Sequence, residues 1–267
     1  MKKFFVIGNP IEHSLSPLLH NYWIKSNNID SVYGKEKLNK NDLKLFISKI
    51  RNKEINGANI TVPFKSEIIN HLDKLSFEAE KTQSVNTVFL EDDKIIGANT
   101  DIRGFELAIK NTKFDLKKKK AFIIGAGGVV PSIVLALKKL GVSKIIICNR
   151  TIKKAENLNL LFEELEVVPW GEVPNFDIII NATSLGLNKS DKINLKFPTQ
   201  CEGKLFYDVI YNPKETFFLK EGKKLGAFIE NGKMMFIHQA AASFKIWHGI
   251  EPIIDSEVIG LLDQWKG

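Results

Sequence analysis

Cysteine is scarce in this chain. Two in 267 residues, Cys148 and Cys201, exclude a disulfide framework and a cysteine-held metal cluster. They suit a reducing compartment. Arginine is scarcer relative to its counterpart: Arg51, Arg103 and Arg150 stand against 35 lysines. Long apolar runs are missing. None approaches the ~18 residues that a membrane-spanning helix needs. The N-terminal run Phe4–Ile7 meets Gly8-Asn9-Pro10 at once and is too short for a signal peptide. The five histidines show no metal-ligand spacing with Cys, Asp or Glu, so no metal is expected. His13 and His20 read as structural or surface residues. The lysine run Lys117–Lys120 has no interleaved aromatics and no reading helix after it, which argues against nucleic acid as a partner. Internal repeats and low-complexity segments are absent too. What is present is ordinary for a globular protein: 44% hydrophobic, 26% charged, and long enough for one large or two moderate domains. The net charge of +7 favours small anionic ligands. The expected location is the cytoplasm, with no membrane association.

The order of apolar runs and turns predicts an α/β fold. Phe4–Ile7 reads as a buried parallel-type strand. Ser16-Pro17 reads as a helix start, with Ser16 as N-cap and Pro17 in the first turn. Strands near Val32–Leu38 and Ile55–Ile60, with a helix over Asp42–Ile50 between them, complete a β-α-β-α-β pattern, which implies parallel strands. Helical stretches follow at Ser66–Leu72 and Phe77–Lys81. Val85–Leu90 and Lys94–Ala98 flank Glu91-Asp92-Asp93 as a hairpin. A helix opens near Ile102. After the polar stretch Asn111–Lys120 the pattern restarts: strand Ala121–Ile124, glycine turn, helix Val130–Leu140, strand Lys144–Cys148 and a helix to about Leu161. Further strands are expected at Ile178–Ile180 and Leu205–Val209, and closing helices at Met234–Trp247 and Ser256–Trp265.

Several stretches carry chemistry. Gly125-Ala126-Gly127-Gly128 follows a strand and precedes a helix, the context in which a glycine loop cradles a pyrophosphate. Val130 stands where close helix–strand packing usually wants Gly or Ala. The second strand ends in Cys148-Asn149-Arg150-Thr151, with no acid to take a ribose hydroxyl. Arg150 offers a planar cation to a 2′-phosphate, with Lys154 one turn on; the bland reading is a solvated residue at a helix start. Ser14 and Ser16 follow the first strand, and two hydroxyls beside a helix N-terminus bind a carboxylate well. Ser16 serves equally as a plain cap. The stretch Asn59–Lys65, N-I-T-V-P-F-K, follows a strand and ends in a lysine at the sheet edge where ligands bind in open α/β folds. Lys65 there is a candidate general acid or base, or a Schiff-base nucleophile. Asp101 reads as a helix cap or as a carboxylate that directs the Lys65 ammonium.

The motifs G-N-P-I-E-H-S-L-S-P-L-L-H, N-G-A-N-I-T-V-P-F-K, S-V-N-T-V, G-A-N-T-D, I-I-G-A-G-G, N-R-T, N-A-T-S-L-G, Y-D-V-I-Y-N-P and Q-A-A-A-S-F occur in order over nearly the whole chain. In them the sequence resembles the shikimate dehydrogenase family. The resemblance implies two α/β domains with a cleft between them. A substrate domain with a mostly parallel sheet would span 1–103 plus 232–267, and a Rossmann-like NADP-binding domain 104–231. It implies reversible NADPH-dependent reduction of 3-dehydroshikimate to shikimate, on the route through chorismate to aromatic amino acids. Lys65 and Asp101 would be the catalytic pair, with Lys65 a proton donor rather than a Schiff base. Ser14, Ser16 and Tyr211 would hold the substrate carboxylate, and Thr61, Asn86 and Gln239 its ring hydroxyls. Gly125, Ala126, Gly127, Gly128, Asn149, Arg150, Thr151, Lys154, Thr183 and Gly232 would hold NADP(H). Val129-Val130-Pro131 departs from the small residues and arginine common after the glycines. Gly232-Lys233-Met234-Met235 departs from G-x-G-M, and His238 replaces a commonly small residue. The partner is a small molecule and the assembly a monomer or homodimer. The alternatives are a quinate/shikimate dehydrogenase of relaxed specificity and a non-catalytic metabolite-binding protein on the same fold.

Overall fold

The apolar run Phe4–Ile7 lies inside β1 (Lys2–Gly8), the second strand of a six-stranded sheet. The computed structural model describes residues 1–188 and 190–264. The chain divides into two compact units, residues 1–104 with 237–267 and residues 105–236.

The first unit continues with α1 (Ser16–Ser26), β2 (Ser31–Lys37), α2 (Leu43–Arg51), β3 (Gly57–Ile60), the two-residue β4 (Lys74–Leu75), α3 (Phe77–Thr82) and the hairpin β5 (Thr87–Glu91) and β6 (Lys94–Ala98). The strand order is β2-β1-β3-β5-β6-β4. β1 pairs in parallel with β2 and β3, and β4 with β6; β5 is antiparallel to both its neighbours. One strand therefore runs against the other five, because a tight turn at Asp92-Asp93 can join β5 to β6 only in antiparallel fashion.

Alternation along β1 sends Phe5 and Ile7 to one face and Phe4 and Val6 to the other. Ile7 joins Phe46, Ile47 and Ile50 of α2 and Ile60, Phe64 and Val88 in an aliphatic core. Phe4 meets Trp247 at a ring separation of 5.0 Å. The helix α4 (Asp101–Thr112) carries the chain out of the first unit.

The second unit holds β7 (Lys120–Ile124), α5 (Val130–Lys139), β8 (Lys144–Cys148), α6 (Ile152–Glu156), β9 (Leu165–Val168), β10 (Ile178–Asn181), β11 (Leu205–Asp208), α7 (Phe217–Lys224) and β12 (Phe228–Glu230). All six strands are parallel, in the order β12-β11-β10-β7-β8-β9. The chain winds outward from β7 to β9, returns to β10 and winds outward again. This is the doubly wound order, and its reversal lies between β7 and β10. Between Lys120 at the start of β7 and Asn181 at the end of β10 the central strands are apolar, as a sheet covered on both faces requires. The helix α8 (Lys233–His248), which bears Trp247, then carries the chain back to the first unit, and α9 (Ser256–Gln264) closes the described chain. The divisions at 104/105 and 236/237 fall inside α4 and α8.

The structure corrects several sequence-based expectations. Ser16 is not the cap of α1. The cap position is Leu15, no side chain caps the helix, and the Ser16 N–H donates to the Ser14 hydroxyl at 3.3 Å. The stretch Ser66–Leu72 is a 3-10 turn over Glu67–His71, and the helix after Thr151 stops at Glu156 before another 3-10 turn. The sequence pattern does not predict β4, β9, α7 and β12. The three strands are too short to show a period of two, and α7 spans only eight residues and carries Gly222 on its buried face. The expected end of the last helix, Trp265, lies outside the described residues. Among the described residues no helix is long and apolar enough to cross a membrane.

Gly57 shows how tightly α8 closes the first unit. A Cβ there would lie 2.5 Å from Trp247 Nε1 and 2.9 Å from the Val88 carbonyl, which that indole uses as acceptor. Gly57→Ala is expected to destabilise the protein by about 1–3 kcal/mol through overpacking, measured by urea unfolding at constant m-value.

Candidate active site

The turn after β3 is held before any side chain acts. Thr61 N–H donates to the Ile7 carbonyl, Phe64 N–H to the Thr61 carbonyl, and Val85 N–H to the Lys65 carbonyl, at 2.8–2.9 Å. The last of these fixes Lys65 beside the segment leading to Asn86. The Lys65 side chain is 13% exposed and its Nζ lies 2.5 Å from Asp101 Oδ2. Asp101 is the first residue of α4, but its carboxylate is not spent on the helix end. Its N–H donates to Asn99 Oδ1, and its Oδ1 accepts from Asn86 Nδ2 at 2.9 Å. Both carboxylate oxygens are thus engaged, one by the lysine and one by an amide.

Asn86 is buried and links the surrounding site residues. Its Nδ2 also faces Gln239 Oε1 at 3.3 Å, and its Oδ1 accepts from the Thr100 N–H at 2.8 Å. Behind it lies Asn59, whose Nδ2 donates to the Asn86 carbonyl at 2.9 Å and whose Oδ1 accepts from the Tyr33 hydroxyl at 2.7 Å. Tyr33, Asn59, Thr87, Thr100 and Ser243 are all buried. None of them is a predicted site residue. The available signal is Asn59 itself, a polar residue in a four-residue strand that is buried throughout and so must find internal partners.

Ser14 and Ser16 sit together after β1, joined through the Ser16 N–H. Ser16 is buried and its hydroxyl faces Tyr33, whose phenol is pushed well above its ordinary pKa by burial. Thr61 leaves the same sheet edge. A Cβ at Gly8 would lie 2.5 Å from Thr61 Cγ2, so the serine loop and the Thr61 turn are adjacent. Glu12 ties the serine loop to β2. Its Oε1 lies 3.0 Å from Lys37 Nζ, its backbone carbonyl meets Lys35, and hydrogen bonds from its own backbone, Lys37 and Ile11 hold its carboxyl down at about 2. His20 is a core residue. It stacks on Tyr33 at 4.2 Å, and burial pushes its pKa down to about 3.

In the second unit the glycine loop begins at the reversal point. Gly125 has φ +110° and a Cβ there would lie 2.9 Å from Thr183 Cγ2, so only glycine fits; its N–H donates to the Cys148 carbonyl at 2.8 Å. Gly127 is different. A Cβ there would meet nothing nearer than the Ala182 carbonyl at 3.9 Å, and its φ is not left-handed. The fold does not need glycine at 127, whereas a group approaching the backbone from outside does. Gly127 and Gly128 are open to solvent and Ala126 is half-buried, and α5 presents its N-terminus just beyond them. Val130 and Pro131 are buried in its first turn. Arg150 and Lys154 are exposed past the tip of β8, and the Asn149 amide donates to the Thr151 carbonyl at 2.8 Å. These features fit a dinucleotide with a 2′-phosphate. Gly232 is demanded by packing alone, since a Cβ would fall 2.0 Å from the Val209 carbonyl. Its N–H donates to the Ile210 carbonyl, next to Tyr211, which stacks on Phe236 at 4.6 Å. Tyr211 and Gly232 belong to the second unit, whereas Ser14, Ser16, Thr61, Lys65, Asn86, Asp101 and Gln239 belong to the first. Among the described residues no group of three or more His, Cys, Asp or Glu is placed to hold a metal ion.

A six-stranded doubly wound sheet with a glycine loop at its reversal point, on a chain that also pairs a half-buried lysine with a buried carboxylate, defines a dinucleotide-dependent oxidoreductase. Three family models match the chain. Shikimate dehydrogenase substrate binding domain covers residues 6–88, Shikimate / quinate 5-dehydrogenase 106–211, and Shikimate 5'-dehydrogenase C-terminal domain 235–254. The shikimate dehydrogenase (NADP(+)) of Pelagibacter ubique (strain HTCC1062) is 56% identical over 262 residues, 98% of this chain and 99% of that protein. The Thermus thermophilus shikimate 5-dehydrogenase, solved in complex with NADP(H) and shikimate, is 31% identical with a TM-score of 0.89 over 99% of both chains. The Aquifex aeolicus shikimate dehydrogenase structure gives 34% and 0.89, over 99% of this chain and 98% of that one. The chain belongs to the shikimate dehydrogenase family.

Asp208, in the second unit, is a buried carboxylate of another kind. It accepts from Thr216 Oγ1 at 2.6 Å, from Ile210 N–H and from Asn181 Nδ2, both at 3.0 Å, yet burial outweighs these bonds and pushes its pKa up to about 6. Asn181 in turn accepts from Thr183, so Asp208 steadies the loop under Gly125. A raised carboxyl pKa stabilises the fold fully below about pH 4 and loses that contribution as pH rises through about 6. The folded protein holds this proton to a pH roughly two higher than the unfolded chain does, which makes the loss about 3 kcal/mol. Urea unfolding of the protein and of Asp208→Asn at pH 4 and pH 7 tests this: the stability of the parent relative to the variant is expected to fall by about that amount on raising the pH. A constant difference contradicts it.

Proposed function

We propose that this chain interconverts 3-dehydroshikimate and shikimate with NADP(H), in the cytoplasm, as a monomer or homodimer. The first unit takes the substrate and the second holds the cofactor. The observation that carries the reading is the Lys65–Asp101 contact, braced through Asn86, in a chain of this family.

NADPH supplies the hydride when bound. The chain's own residues do the rest. Lys65 Nζ delivers a proton to the oxygen of the reduced ketone. Asp101 directs the ammonium through Oδ2 while Asn86 holds Oδ1, so the donor points one way only. Thr61, Asn86 and Gln239 orient the ring hydroxyls, and Ser14 and Ser16, with Tyr211, receive the carboxylate. In the oxidative direction Lys65 takes the proton back. The Gly125–Gly128 loop binds the pyrophosphate through backbone N–H groups and the α5 dipole. Asn149, Arg150, Thr151 and Lys154 take the 2′-phosphate end, with Thr183 and Gly232 completing the cofactor contacts. Two cysteines without a disulfide support a reducing compartment. The two serines favour shikimate over the bulkier quinate, and comparison of kcat/KM for the two substrates checks that preference.

Lys65→Ala is expected to lower kcat by about 10²–10⁴-fold with a folded protein by circular dichroism; unchanged turnover would point to a binding protein instead. Arg150→Ala is expected to raise the KM for NADP⁺ by roughly 10–100-fold, the worth of one charge-assisted contact, while leaving that for NAD⁺ nearly unchanged. Initial rates with each cofactor report it, and equal effects on both would remove Arg150 from 2′-phosphate recognition.

A further inference from the structure

Ser243 lies in the first-unit half of α8 and is fully buried. Its hydroxyl meets four polar groups from four parts of the unit. Asn59 Nδ2 of β3 donates to it at 3.0 Å, the Thr87 hydroxyl of β5 lies at 2.8 Å, and the Thr100 hydroxyl before α4 lies at 3.1 Å. The Gln239 carbonyl, one turn back in the same helix, lies at 3.1 Å and competes with the nearer Thr87 oxygen for the single Ser243 proton.

These partners are not scattered. Each is, or adjoins, a residue that sets the site. Thr87 and Thr100 both reach Asn86 Oδ1, at 3.0 and 3.1 Å, and this keeps the Asn86 amide turned with its nitrogen toward Asp101 Oδ1 and Gln239 Oε1. The Asn59 amide supports the Asn86 carbonyl at 2.9 Å. The three hydroxyls therefore form a cluster whose bonds lead to site residues. Each hydroxyl has one proton, so with Thr87 donating to Asn86 Oδ1 it is Ser243 that donates to Thr87, while accepting from Asn59; a buried network satisfied in this way fixes the orientation of its members.

We propose that Ser243 is a positioning residue of the reaction: without touching substrate, its hydroxyl holds Asn59, Thr87 and Thr100 in register, and through them the side-chain amide of Asn86. The proposal rests on the shikimate reading above. Alanine at 243 leaves the helix ladder at Gln239 intact and leaves Asn59 its bond to the Asn86 carbonyl. The loss falls on direction: Thr87 loses the donor that turns its own proton toward Asn86 Oδ1, and that oxygen is left to the N–H and hydroxyl of Thr100.

The test measures both Michaelis constants, kcat and the unfolding midpoint for Ser243→Ala, Thr87→Val and the double variant. Ser243→Ala is expected to raise the KM for shikimate about tenfold, the scale of one ordinary hydrogen bond, with the KM for NADP⁺ within about twofold and the unfolding midpoint somewhat lowered, because buried polar groups lose a partner. Thr87→Val, which keeps the side-chain shape, is expected to act in the same direction, and the double variant to be no more than about twofold worse than the poorer single variant. An unchanged KM for shikimate, a parallel rise in both Michaelis constants, or simple additivity in the double variant overturns the proposal. Absence of NADP⁺-dependent shikimate oxidation by the unsubstituted protein overturns the underlying reading instead, and the proposal with it.

Discussion

A polar group enclosed in protein must find a partner, and the first unit is arranged around one such demand. Asn86 carries two amide protons and one acceptor oxygen into a buried place. Thr100 N–H fixes the oxygen, and Asp101 and Gln239 take the nitrogen. Once the amide is turned that way, Asp101 has one oxygen left for Lys65. The short antiparallel strand β5 serves this arrangement. It sets Thr87 opposite Asn59 in β3 and opposite Ala98 in β6, bringing the segments before Lys65 and Asp101 to one strand end.

The second unit answers a different demand, that of bringing backbone close to a phosphate. Gly125 is required by the fold because Thr183 lies against it. Gly127 is not, and its open side is what a ligand would use. The same contrast separates Gly232, which packing alone explains, from the loop glycines.

Much of the fold was legible in the sequence because apolar runs bounded by glycine and proline are local signals. The parallel strands β1, β2, β3, β7, β8, β10 and β11, the hairpin and the position of the glycine loop follow from them. The short strands β9 and β12 escaped, since three or four residues give no period. Ser16 misled because a serine before a proline fits a cap in isolation, whereas here the adjacent Ser14 hydroxyl accepts the N–H. The site was legible in a different sense. Lys65 and Asp101 are 36 positions apart and no spacing rule joins them; the resemblance named them together. The contacts that hold them were not legible at all. Asn59 and Ser243 are 184 positions apart, and only the folded chain shows that they touch.

That separation bears on how the protein is made. The first unit is interrupted by residues 105–236, so Ser243 and Trp247 leave the ribosome only after the whole second unit has been synthesised. At ordinary translation rates the interval is roughly ten seconds. Throughout it, Asn59, Thr87 and Thr100 lack the hydroxyl that joins them, and the face of Phe4 lacks its indole cover. The part of the chain born first is thus completed last, and its exposed sheet face is what a chaperone would meet on the nascent polypeptide.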